Sequence, residues 1–195
     1  MRCRFYDARM RTCVILLVAA ALLLAGCGGD SETVSGPPPK APSTIALGSP
    51  AFAAGGDLPK PFTCDGAGTS PPLEWSRLPK RARELAILVE DPDAPGGTFV
   101  HWSIWGIPAG VRALQANVQA NAATAGLQQG KNGFGDVGYG PPCPPKGDSP
   151  HRYVFTLYAL SQTLPVANGA SGEDVRNAIG EVAIAKGEIT AKYGR

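Results

Sequence analysis

LAILVE (Leu85–Glu90), DPDAPGGT (Asp91–Thr98) and FVHWSIWGI (Phe99–Ile107) follow one another directly, and their reading decides the fold. The two outer runs are rich in β-branched and aromatic side chains. Pro and Gly bound them, which is the pattern of strands joined by a structured turn. YVFTLYAL (Tyr153–Leu160) has the same character, and Ile45–Phe52 alternates weakly, as an edge strand does. Near the C-terminus, Ser171 fits a helix N-cap with Glu173 and Asp174 in the first turn. Val175, Ala178, Ile179 and Val182 then follow at helical spacing. Gly187 is the expected helix stop, and Glu188–Tyr193 alternates like a closing strand. With 25 Gly and 19 Pro in 195 residues, the chain is too rich in turns for a helical bundle. The expected class is mainly β: a two-sheet β-sandwich with a peripheral C-terminal helix.

The N-terminal region is organised differently. Arg2, Arg4, Arg9 and Arg11 precede the apolar run Val14–Ala25, which leads into Leu24-Ala25-Gly26-Cys27. Its 12 residues fall short of the ~20 that a spanning helix needs and fit the apolar region of an export signal. The Leu, small, Gly, Cys order resembles a bacterial lipobox, which implies a signal peptide over 1–26 and a lipidated Cys27 (palmitate among the acyl groups) at the mature N-terminus. The expected location is therefore the extracytoplasmic face of a membrane. Residues 27–44 carry almost no apolar side chains besides proline and contain Pro37–Pro39, so they read as a flexible spacer. Such a spacer would hold a domain at 45–195 a few nanometres from the membrane.

The charge balance depends on the same division. Four of the 18 basic and one of the 16 acidic residues precede Cys27, so the leader carries +3 and the remainder −1, and the net +2 is owed to the leader. A nucleic-acid partner thereby loses its electrostatic basis.

Five separated motifs carry a resemblance. They are Phe62–Gly66 (FTCDG), Ser70–Trp75 (SPPLEW), Asp91–Pro95 (DPDAP), His101-Trp102 with Ile107-Pro108, and Gly140–Gly147 (GPPCPPKG) with His151–Tyr153 (HRY). Together they resemble the phosphatidylethanolamine-binding protein family, in particular its bacterial Raf-kinase-inhibitor-like (YbhB/YbcL-type) branch, over about Ile45–Arg195. The resemblance implies a two-sheet sandwich with a small anion-accepting pocket at one end. It maps the ligand-binding residues onto Asp91, Asp93, Pro95, His101, Pro145, His151 and Tyr153. No catalytic residue, metal or cofactor is expected, with a two-His, one-carboxylate metal site as part of the enzymatic alternative. The leader and spacer lie outside the family pattern.

Taken without the family, the same residues allow more than one reading. Asp before Pro is a common turn starter, and a lone His in a strand is often a satisfied, half-buried residue. His151 and Tyr153 share a strand face by alternation, whereas Arg152 points the other way and reads as a structural ion-pair partner. An anion-binding module for a phosphate or phospholipid head group is the leading reading. Unperturbed imidazoles would strengthen such binding as pH falls from about 8 to 6. The alternatives are an inhibitor or scaffold that offers the pocket rim to a kinase or protease, and a hydrolase using the His/Asp cluster. The chain has no Gly-x-Ser-x-Gly elbow and no His-Glu-x-x-His motif. Once the leader is removed and Cys27 acylated, Cys64 and Cys143 are the two thiols left, and export would place them where disulfides form. A Cys64–Cys143 bridge is expected, with two reduced cysteines as the alternative.

Overall fold

The computed structural model describes residues 32–120 and 126–195. The expected signal peptide and Cys27 lie outside these residues. The long strands fall where the sequence places them. β1 is Thr33–Val34, β2 Ala46–Gly48, β3 Leu73–Ser76, β4 Glu84–Asp91 and β5 Thr98–Pro108. β6 is Ala113–Leu114, β7 Gln128–Gln129, β8 His151–Leu160, α1 Gly172–Val182 and β9 Ala183–Tyr193. A large antiparallel sheet runs β1-β5-β4-β8-β9, with β7 also on β5, and a small one runs β2-β3-β6. The architecture is thus the expected mainly β sandwich with one helix.

Strand alternation sorts the apolar residues into two cores. Leu85, Ile87, Val89, Phe155 and Leu157 face the small sheet and pack with Phe52, Leu73 and Trp75. Ala86, Leu88, Tyr158 and Leu160 face the other way and are covered by Val175, Ile179 and Val182 of α1. The helix starts as expected: the Ser171 hydroxyl accepts from the Asp174 N–H at 3.1 Å. It stops earlier than expected. Gly187 lies inside β9, and β9 pairs with β8 from Ala183 onward. Its glycine is required by packing instead, because a Cβ there would stand 2.5 Å from the Ile45 carbonyl oxygen.

The boundary expected at residue 45 also moves. Composition reads 27–44 as free spacer, yet residues 32–44 lie along the domain. Thr33 and Val34 pair with Phe99 and Thr98. Pro42 accepts from the Lys186 N–H at 2.9 Å, and the Tyr158 hydroxyl donates to the Pro39 carbonyl at 3.4 Å. The anchoring uses backbone groups, which composition does not count, and it covers part of an otherwise open β5 edge.

A buried ion pair fastens this segment to the sheet. Arg176 of α1 donates from Nε to Glu90 at 2.6 Å and from its other nitrogens to the Ser35 and Gly36 carbonyls at 3.1 and 3.3 Å. Burial pushes the Glu90 carboxyl up, while Arg176 pulls it back toward the charged form. Breaking one side of such a pair leaves an uncompensated buried charge. Arg176→Met should therefore lower the unfolding free energy by about 3–5 kcal/mol in urea titrations, and adding Glu90→Gln should recover part of it. A loss below ~1 kcal/mol, the range of an exposed pair, would contradict this role.

Candidate functional site

Three strand ends converge at one pole of the large sheet: the C-terminus of β4 at Asp91, the N-terminus of β5 at Phe99 and the N-terminus of β8 at His151. They enclose a pocket of about 250 Å³. Asp91, His101, His151 and Tyr153 form its polar part. Ala94 and Pro95 come from the loop after β4, and Cys143, Pro144 and Pro145 from the proline-rich loop. Phe99 and Phe134 complete the lining.

Each polar side chain is oriented by a second group. Asp91 accepts from the His151 Nδ1–H at 2.7 Å through one oxygen and from the Asp93 N–H at 2.8 Å through the other. Its charge is therefore engaged on both oxygens, and His151 is left with Nε2 for a ligand. His101 donates from Nδ1 to the Gly140 carbonyl at 2.8 Å, which fixes the tautomer and leaves Nε2 unengaged. Its ring is packed against Phe99 and Tyr153, with centroids 4.7 and 5.2 Å away. Burial in that aromatic surrounding pushes the His101 pKa down from 6.5 to about 4, against the opposing pull of the Gly140 carbonyl and Asp91. Tyr153 is fully buried, and its hydroxyl finds no hydrogen-bond partner among the described residues. Burial, with Asp91 nearby, raises the phenol well above its ordinary range, so it stays a donor.

The structure brings six of the seven expected ligand-binding residues into the pocket: Asp91, Pro95, His101, Pro145, His151 and Tyr153. Asp93 is not among the lining residues. Its carboxylate holds Arg152 with bonds of 2.6 and 2.9 Å, and that guanidinium keeps the Asp93 carboxyl below its ordinary range. Arg152 has the structural role that strand alternation assigned to it. The pH expectation also needs correcting for one ring, since His101 is neutral between pH 8 and 6.

Sequence reasoning missed Phe134. Only a position within a glycine-rich loop, Gly133–Gly135, marks it in the chain. Cys143 was expected to pair with Cys64 and does so, with Cα atoms 5.4 Å apart; that it also lines the pocket was not foreseen. The bridge closes a separation of 79 residues, which on the chain-entropy estimate contributes ~4 kcal/mol. It gives the proline loop a fixed wall where there is no regular secondary structure. Cys64 N–H adds a bond to the Pro142 carbonyl at 3.0 Å.

An antiparallel sandwich closed at one end over a small pocket with polar groups at its base is the plan of a binding protein. The profile described as phosphatidylethanolamine-binding protein matches residues 48–194. A UPF0098 protein of Aquifex aeolicus is 40% identical over 148 residues, which cover 75% of this chain and 86% of its own. LppC of Mycobacterium tuberculosis, named as a candidate lipoprotein, is 35% identical over 190 residues, covering 90% of this chain and 92% of its own. The crystal structure of Escherichia coli YbcL, titled a new member of the mammalian PEBP family, aligns with a TM-score of 0.74 at 36% identity. That alignment covers 78% of this chain and 99% of YbcL. The chain belongs to the phosphatidylethanolamine-binding protein family, and none of these relatives bears an enzyme's name.

The neutral His101 has a measurable consequence for stability. Below pH 6.5 the unfolded chain takes up a proton that the folded ring refuses until about pH 4. Stability from this residue is therefore lost as pH falls through that window, by roughly 3 kcal/mol at its lower end. Urea unfolding of the parent between pH 7 and 4 should show a steeper pH dependence than His101→Asn. Equal slopes would mean that the ring is not held neutral.

Proposed function

We propose that this protein is a membrane-anchored binding module whose pocket takes a small anionic group of the phosphate or phospholipid head-group kind. The observation that carries this reading is a pocket lined by two oriented imidazoles and by Tyr153, whose buried hydroxyl has no hydrogen-bond partner among the described residues. An unpaired buried hydroxyl costs free energy, and a ligand oxygen would remove that cost. In the bound state Tyr153 donates to the anion, and His151, oriented through Nδ1 by Asp91, turns Nε2 toward it. His101 presents a lone pair instead, which suits a ligand hydroxyl or N–H beside the anionic oxygens. The pocket volume of about 250 Å³ fits a head group better than a whole lipid.

Calorimetry with a phosphomonoester and a phosphodiester, each carrying an ammonium or hydroxyl group, tests the pocket. Tyr153→Phe should weaken binding about tenfold, and His151→Ala between ten- and a hundredfold. Binding that neither substitution weakens would place the ligand elsewhere.

The anchor rests on the lipobox-like ending at Cys27 and on the similarity to LppC, which covers 90% of this chain. Cys27→Ser should move the protein out of the membrane fraction when cells are fractionated. A variant processed and retained in membranes as fully as the parent would refute lipidation at this residue.

A further inference from the structure

We propose that the pocket mouth rests on the same membrane surface that holds the lipid anchor, with Phe134 and the flanking rim prolines in its interfacial layer. The proposal depends on the Cys27 anchor proposed above and adds an orientation to it.

The first ground is the short reach of the anchor. Four residues separate Cys27 from Glu32. Fully extended, they allow at most ~18 Å between the acylated residue and the start of the docked segment. The expected spacer of several nanometres is not available, because residues 32–44 lie along the domain.

The second ground is where the docked segment begins. Glu32 donates its N–H to the Gly133 carbonyl at 2.9 Å, and Thr33 pairs with the pocket residue Phe99. Thr33 also donates to the Gly96 carbonyl at 3.5 Å. Gly133 immediately precedes Phe134 and Gly96 immediately follows Pro95, so the chain enters between two loops of the pocket rim. Gly133 is required there: a Cβ would lie 2.5 Å from the Phe99 ring and 2.7 Å from the Glu32 carbonyl oxygen. An anchor attached at this point brings the pocket pole, and not the opposite pole, toward the bilayer.

The third ground is what the rim displays. Phe134, 50% exposed, is the one large hydrophobic side chain exposed among the described residues. Its loop is held firmly: buried Asn132 accepts from the Phe134 N–H at 2.9 Å and donates to the Gly138 carbonyl at 3.0 Å. The ring leans on Phe99 with centroids 4.6 Å apart. Pro95 and Pro145 are exposed beside it. An apolar rim around a polar floor matches the order of a lipid surface, where head groups and the first methylenes lie within a few ångströms of each other. The head group in the pocket would then come from the membrane beneath it.

The test uses the full lipidated chain in vesicles of phosphatidylethanolamine and phosphatidylglycerol. An environment-sensitive fluorophore is attached to a cysteine replacing Phe134, Pro145 or Gln162. The disulfide leaves the introduced thiol as the labelling target, and Gln162 is an exposed control. It lies just past the far end of β8, whose ten residues put it ~30 Å from the pocket. The labels at 134 and 145 should shift to the blue and lose most of their emission to a spin-labelled lipid, while the label at 162 loses little. Two rim positions are used so that the result does not hang on one variant folding. Protein that fails to float with the vesicles would overturn the anchor and the orientation with it. Floating protein with rim labels as water-exposed as the control would overturn the orientation alone and leave the rim free for a soluble protein partner.

Discussion

Two adjacent carboxylates at the end of one fully buried strand organise the molecule. β4 is buried along its length, with apolar side chains on both faces, so it demands a layer on each side. The small sheet supplies one and α1 the other. At its end the strand carries Glu90 and Asp91, and alternation sends them to opposite faces. Neither charge can stay buried alone. Glu90 takes Arg176, which draws in the helix and the N-terminal segment together. Asp91 takes His151, which gives the pocket its oriented imidazole. One strand end thus fastens the helix side of the domain and shapes the pocket on the other.

The elements read well from the sequence are those with strong local signals. Leu85–Glu90, Phe99–Ile107 and Tyr153–Leu160 each grew by only one or two residues at their ends, because apolar runs bounded by Pro and Gly have few other solutions. The short strands β1, β6 and β7 have no such signal. Each holds two residues, and its existence depends on a neighbouring edge rather than on its own side chains. Gly187 was misread for a related reason. A glycine after a helical pattern signals a stop when the chain must turn, but here β9 takes over at Ala183 and the glycine serves a close approach to Ile45.

The site was legible in its chemistry and less so in its division of labour. Two histidines and two proline-constrained loops in matching motifs located the pocket. They could not say which Asp faces it, since Asp91 and Asp93 both sit in the same turn. Their roles separate only in three dimensions: Asp91 ends a strand and points inward, whereas Asp93 is in the loop, within reach of Arg152. Nor could spacing reveal Phe134, which reaches the mouth because Asn132 shapes its loop.

The two imidazoles show how environment divides residues that a sequence presents as equivalent. Both donate through Nδ1, but His151 donates to a carboxylate and His101 to a neutral carbonyl. The first partner orients the ring through a carboxylate that the Asp93 N–H also holds. The second supports only a tautomer, and the surrounding aromatic rings add a desolvation penalty to any charge. The pocket therefore presents the Nε2 atoms of two oriented imidazoles, one of them held neutral, beside a buried phenol. A bare, fully deprotonated dianion would meet the His101 lone pair and the Asp91 carboxylate with like polarity. On the proposed reading, a ligand with one anionic oxygen and a neighbouring hydroxyl or ammonium would be preferred, and the neutral histidine would contribute as much to that preference as any positive charge.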